Sequence, residues 1–131
     1  MKTLSNYIVE GFRINKDTKV QKHNYHPETK EELRQLIKDL LSERGKNADL
    51  NDIDVSEITN MSNLFTGIDI DNIDISEWDV SNVTSMYDMF YGCKKFNSDL
   101  SKWDVSKVTD MEFMFADCDS LENIPNWYEN K

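Results

Sequence analysis

The chain is poor in the residues from which most active sites are built. Cysteine and histidine occur twice each and glycine four times in 131 residues. His23 and His26 are three apart, with no cysteine or acidic cluster at ligand spacing around them, so a zinc site is not expected. Gly11, Gly45, Gly67 and Gly92 are scattered and read as breakers, so there is no glycine-rich phosphate loop. No G-x-S-x-G element is present either. Asp69, Asp71 and Asp74 have a calcium-like spacing, but Ile73 and Asp74 stand where an EF-hand loop needs Asp/Asn and Gly. The expectation is a non-enzymatic protein with no cofactor and no metal.

Other absences bound the setting. No apolar run approaches a membrane span, and the start, MKTLSNYIVEGF, lacks the core of a secretory leader. A cytoplasmic protein is therefore expected. Basic charge is scarce: the net charge is −10, which argues against direct contact with nucleic acid or an anionic membrane. Residues 1–48 hold 10 basic and 7 acidic side chains, a net of +3. Residues 49–131 hold 5 basic and 18 acidic, a net of −13. Cys93 and Cys118 lie 25 residues apart. A disulfide between them is conceivable, but Ile68 is their counterpart one period earlier, which favours an apolar slot for buried thiols.

What the sequence does have is a repeat of period 25. Asp54, Asp79 and Asp104 coincide, as do Val55, Val80 and Val105; Met61, Met86 and Met111; and Phe65, Phe90 and Phe115. Such a period marks stacked units. Each unit carries L-x-x-W-x-V, as in Leu100, Trp103 and Val105, which reads as a short strand. Val83, Met86, Met89 and Phe90 then fall on one helical face. The fold expected is an α/β repeat: a short leucine-rich-repeat-like solenoid of about three 25-residue coils, each a short strand plus a short helix. Upstream, Thr29 and Glu32 form a capping box. Leu33, Leu36, Ile37, Leu40 and Leu41 make an apolar stripe, and Gly45 is a stop. This amphipathic helix is expected to cap the N-terminal end of the stack. The domains expected are an N-terminal arm at 1–26, with a short helix on Leu4, Ile8 and Phe12 and a strand near Phe12–Ile14, and one repeat domain at 27–131. Within it, 27–48 is the helix and 49–131 the repeats. The repeated Asp at 54, 79 and 104 reads as turn hydrogen bonding.

The stretches WDVSNVTSMYDMFYGC (78–93) and WDVSKVTDMEFMFADC (103–118), with the lead-in TKEELRQLIKDLLSERGKNADLNDIDVSEITNMSNLF (29–65), resemble the BspA-like leucine-rich repeat family of mycoplasma lipoproteins and bacterial surface proteins. The resemblance implies an interaction scaffold without shared catalytic residues.

Comparing units marks the candidate contact residues. Tyr87 replaces Ser62 and Glu112, Tyr91 replaces Thr66 and Ala116, and Phe113 replaces Asn63 and Asp88. Aromatics at places that are polar in sister units are candidate binding anchors. Tyr87, Tyr91 and Phe113, with the neighbouring acids Asp88, Asp110 and Glu112, are the expected site for another protein, one with a basic surface. The alternative function is an acidic, phage-encoded anti-defence inhibitor in the host cytoplasm. It would fill the basic groove of a nucleic-acid-processing enzyme such as a CRISPR effector.

Overall fold

A computed structural model describes residues 23–129. The expected N-terminal helix on Leu4, Ile8 and Phe12 and the strand at Phe12–Ile14 lie outside the described residues. Helix α1 spans Lys30–Arg44. It starts where expected because the Thr29 hydroxyl accepts the Glu32 N–H at 3.1 Å, satisfying a first-turn donor that has no intrahelical partner. It stops at Gly45, whose φ is 94° and whose N–H donates to the Leu41 carbonyl. Leu33, Leu36, Ile37, Leu40 and Leu41 are all buried. Helix α2 is one turn, Asn126–Glu129.

Between these helices the expected strand-plus-helix coils do not form, and the leucine-rich-repeat-like solenoid is not the architecture. Among the described residues there is no sheet; strand pairing is limited to four isolated parallel bridges, Tyr25 with Ile53, Asp49 with Asp74, Asn60 with Ser85, and Ser85 with Asp110. The 25-residue units are strings of tight turns. In residues 74–98 the N–H of Trp78, Val83, Met89, Tyr91, Cys93 and Phe96 each donates to the carbonyl three residues back. Consecutive turns of this kind bring side chains inward at spacings of two or three, with one adjacent pair, here Ile75, Trp78, Val80, Val83, Met86, Met89, Phe90, Cys93 and Phe96. The 3-3-1 spacing that resembles a helical face is therefore a turn spacing.

Two local features exclude the helix and the strand. Asn63, Asp88 and Phe113, equivalent in the three units, have φ of 60°, 55° and 59°, and an α-helix of L-residues cannot pass through the left-handed region. In L-x-x-W-x-V, the Asp before each apolar pair closes its own turn instead of extending. Asp74, Asp79, Asp99 and Asp104 accept the N–H of Ser76, Ser81, Ser101 and Ser106 at 2.9–3.1 Å. A carboxylate bonding the backbone two residues on offers an alternative to ladder pairing. The reading of Asp54, Asp79 and Asp104 as turn residues agrees with these bonds and with Ser56 N–H on Asp54.

The units are joined to one another by backbone. Met61, Asn63 and Phe65 donate to Ser85, Tyr87 and Met89, and Met86, Asp88 and Phe90 donate to Asp110, Glu112 and Met114, all at 2.8–3.0 Å. An asparagine ladder runs alongside: Asn47, Asn72 and Asn97 accept the N–H of Asn72, Asn97 and Glu122. Inside, Phe65, Phe90 and Phe115 stack with centroids 5.2 and 5.6 Å apart. Trp78, Trp103 and Trp127 stack at 6.5 and 6.3 Å. Each indole N–H donates to a carbonyl of the preceding unit, Leu50, Ile75 and Leu100. Such a bond matters because a buried indole N–H left unpaired costs about 1–3 kcal/mol.

The carboxylates of the turns tie stability to pH. Asp74 is held below its usual range by the Asn51 amide and then by the Ser76 N–H and hydroxyl. Asp99 is lowered by the Ser101 N–H and hydroxyl, and Asp104 by the Ser106 hydroxyl and N–H. A carboxylate whose folded value is depressed stabilises the fold above its unfolded value, about 3.9. That contribution is lost as pH falls through the folded value. Protonation also relieves repulsion among the acids, an opposing effect that salt removes. In 0.5 M salt the melting temperature is expected to hold between about pH 7 and 5 and to fall below about pH 4. Thermal melts followed by circular dichroism would measure it, and a melting temperature that climbs on acidification at that salt contradicts the assignment.

Candidate protein-binding face

The six residues singled out from the sequence fall on two adjacent strips, 85–92 and 110–117. The parallel bridge of Ser85 with Asp110 and the bond from Asp88 N–H to the Glu112 carbonyl at 3.0 Å hold the strips together. Tyr87 and Phe113 meet edge to face, with centroids 6.2 Å apart. Tyr87 is half-buried, whereas Phe113 is 57% exposed. Tyr91 is 42% exposed and lies one turn further on, its N–H bonded to the Asp88 carbonyl. Its ring touches no other ring among the described residues, so the structure pairs Tyr87 with Phe113 and leaves Tyr91 beside them.

The acids differ in their surroundings. Asp110 accepts the Glu112 N–H at 3.0 Å. Glu112 itself is exposed. Asp88 is half-buried, and its Oδ1 is shielded with no hydrogen-bond partner among the described residues. An open groove of about 700 Å³ runs along Val108, Thr109, Asp110, Met111 and Glu112 and is closed on one side by Tyr128. Tyr128 is the third residue of the one-turn helix α2. Its ring packs edge-on against Phe115, centroids 5.0 Å apart, so it is both a wall of this groove and a cover for the core.

Phe113 carries a signal that sequence comparison alone only half shows. Its φ of 59° is shared with Asn63 and Asp88, residue types that tolerate the left-handed region, while a bulky ring there is an outlier. The hint lay in the alignment: where two sisters are Asn and Asp, the backbone wants a residue that can turn left. The same holds four residues later, where Gly67, Gly92 and Asp117 all have positive φ.

Other chemistry-bearing groups are engaged elsewhere. Cys93 and Cys118 are free thiols. Burial pushes Cys93 up to about 12 and Cys118 up to about 11, so both are neutral at pH 7 and poor nucleophiles. The Cys118 thiol donates to the Phe90 carbonyl at 3.0 Å. His26 faces Asp54 at 3.2 Å. Asp69 pairs with Lys46, and Asp71 lies 3.8 Å from Lys95. Among the described residues no group of three His, Cys, Asp or Glu is arranged to hold a metal ion, and no helix is long and apolar enough to cross a membrane.

Left-handed backbone costs a non-glycine residue about 1–2 kcal/mol, against about 0.5–1.5 kcal/mol returned by an edge-to-face ring pair. Phe113→Asn is therefore expected to raise stability by roughly 0.5–1 kcal/mol, or a melting temperature gain of about 2–6 °C. Paired thermal melts would read this, and a drop of several degrees would make Phe113 a packing residue.

No curated protein and no solved structure matches the chain. Residues 32–131, from the first turn of α1 through all three units, match the family described as "Mycoplasma protein of unknown function, DUF285", and the chain belongs to that family.

Proposed function

We propose that this chain is a non-enzymatic protein–protein interaction module whose contact face centres on Tyr87, Tyr91 and Phe113. The observation that carries the reading is Phe113, a ring 57% exposed on left-handed backbone. Exposure forfeits the ring's burial energy and the backbone adds strain, so its fitness lies outside stability. Strain of this kind clusters where function requires it. Tyrosine and phenylalanine on a face flanked by Asp88, Asp110 and Glu112 suit a protein partner with a basic surface. The likeness of 78–93 and 103–118 to the repeats of BspA-like surface proteins supports the same class of role.

The alternative, an acidic inhibitor seated in the basic groove of a nucleic-acid-processing enzyme, is motivated by the −13 of residues 49–131. Asp49, Asp54, Asp74, Asp79, Asp99, Asp104 and Asp110 each accept a backbone N–H of their own turn. The repeated acid thus has a use in folding, and we favour the first reading.

A tagged chain incubated with nuclease-treated host lysate is expected to retain a partner. The triple variant Tyr87→Ala, Tyr91→Ala, Phe113→Ala should bind that partner at least ~100-fold more weakly, with a melting temperature near that of the parent. Equal affinity of parent and variant would remove these residues from the contact face.

A further inference from the structure

The two ends of the stacked units are finished differently. Along 61–65 and 86–92 alternate N–H groups of one unit donate to carbonyls of the next, although Thr84 and Thr109 donate back to Thr59 and Thr84, so on this strip the first unit is left with spare acceptors and the last with spare donors. The spare acceptors are answered by α1. Lys30 donates to the Ser62 carbonyl at 3.2 Å, and Arg34 to the Leu64 and Thr66 carbonyls at 2.8 and 2.7 Å. Ser62 and Leu64 are the equivalents of Tyr87 and Met89, whose carbonyls take backbone N–H groups from the unit before. Two basic side chains thus stand in for a missing strip of backbone donors.

Among the described residues the donor end has no such cover. Met86, Asp88, Phe90 and Gly92 all donate onward, to Asp110, Glu112, Met114 and Ala116. Their equivalents, the N–H groups of Met111, Phe113, Phe115 and Asp117, find no acceptor among the described residues. Trp127 and Tyr128 cover the ends of the tryptophan and phenylalanine stacks, but they leave this row of amides unpaired. The open groove along 108–112 runs beside it. An unpaired row of alternate N–H groups is a template for an added chain.

We propose that the donor row of Met111, Phe113, Phe115 and Asp117 docks a basic segment of a protein partner, laid parallel to residues 109–117 along the same turning path by which each unit lies on the next. This rests on reading the face as protein-binding, and it names the mode and the chemistry. The partner's carbonyls at alternate residues accept the four N–H groups. The basic character follows from charge: Asp110 and Glu112 flank the row and Asp117 ends it, and none forms an ion pair among the described residues. An acidic segment would be repelled, while a lysine or arginine beside Phe113 also meets an exposed ring.

The test uses the full chain and peptides selected on it from a random 12-residue yeast-displayed library. The enriched peptides are expected to be basic and, at saturation, to slow amide exchange at Met111, Phe113, Phe115 and Asp117 by about tenfold or more. The variant Asp110→Asn, Glu112→Gln, Asp117→Asn should bind them several-fold more weakly, since it removes three rim charges at once. That variant keeps the fold: Asn60 already serves at the place of Asp110, accepting the Ser62 N–H, and asparagine tolerates left-handed backbone at 117. Enriched peptides that shift the Tyr87 and Phe113 rings while the four amides exchange at their free rate would keep the binding face and overturn the added chain. Neutral or acidic enriched peptides would overturn the stated chemistry. Protection of the four amides in the chain alone, growing with its concentration, would make a second copy the occupant. Failure to enrich any peptide would overturn both the docking row and the face.

Discussion

The structure depends on one recurrent bond, a backbone N–H given to a carbonyl about 25 residues away in a neighbouring unit. Met86 to Asp110 and Asp88 to Glu112 are examples, at 2.8 and 3.0 Å. A chain made almost wholly of turns cannot satisfy its own polar backbone locally, because a turn closes one bond where a helix closes one per residue. The remainder must be paired with something, since a buried unpaired group costs about as much as a lost hydrogen bond. Here the something is the neighbouring unit. Once that register is set, identical residues must lie one above another, and the phenylalanine stack, the tryptophan stack and the asparagine ladder follow from it.

The same constraint explains how the molecule ends. The strip through 61–65 and 86–92, whose N–H bonds between units all run forward, leaves acceptors at its start and donors at its finish. The chain answers the first with cations from a helix it can form locally. Arg34 reaches three carbonyls, those of Asn63, Leu64 and Thr66, and Arg44 ties the other end of α1 to Asp52 through two 2.9 Å bonds. The aromatic face lies at the opposite finish, beside the uncovered donors. Strain at Phe113 and the open amide row therefore occur in the same few residues.

How much of this was legible in the sequence varies with the length scale of the cause. Helix α1 was legible because its capping threonine, apolar stripe and terminal glycine are local. The period and the inward-facing residues were legible because each copy repeats them. The internal form of a unit was misread: spacings of three and one occur both on a helix and along consecutive turns, and hydrophobic pattern cannot separate them. The deciding information sat in residue chemistry. Asn63 and Asp88 mark left-handed backbone, and Asp before Ser marks a turn closed by its own carboxylate. The asparagine ladder at 47, 72 and 97 was present in the sequence at the same period, yet its use needed the neighbouring N–H in view. The candidate site was legible as a set of aromatics out of place. That Tyr87 and Phe113 touch while Tyr91 stands apart, and that Tyr128 walls the adjoining groove, depends on how one unit lies on the next.

The account is tested most directly by scalar couplings across hydrogen bonds in a uniformly labelled sample, which identify donor and acceptor residue by residue. It predicts couplings from the amide nitrogens of Met86, Asp88 and Phe90 to the carbonyl carbons of Asp110, Glu112 and Met114, pairs separated by 24 positions. Couplings within 86–92 from each amide to the carbonyl four residues earlier, the signature of a helix, would contradict it.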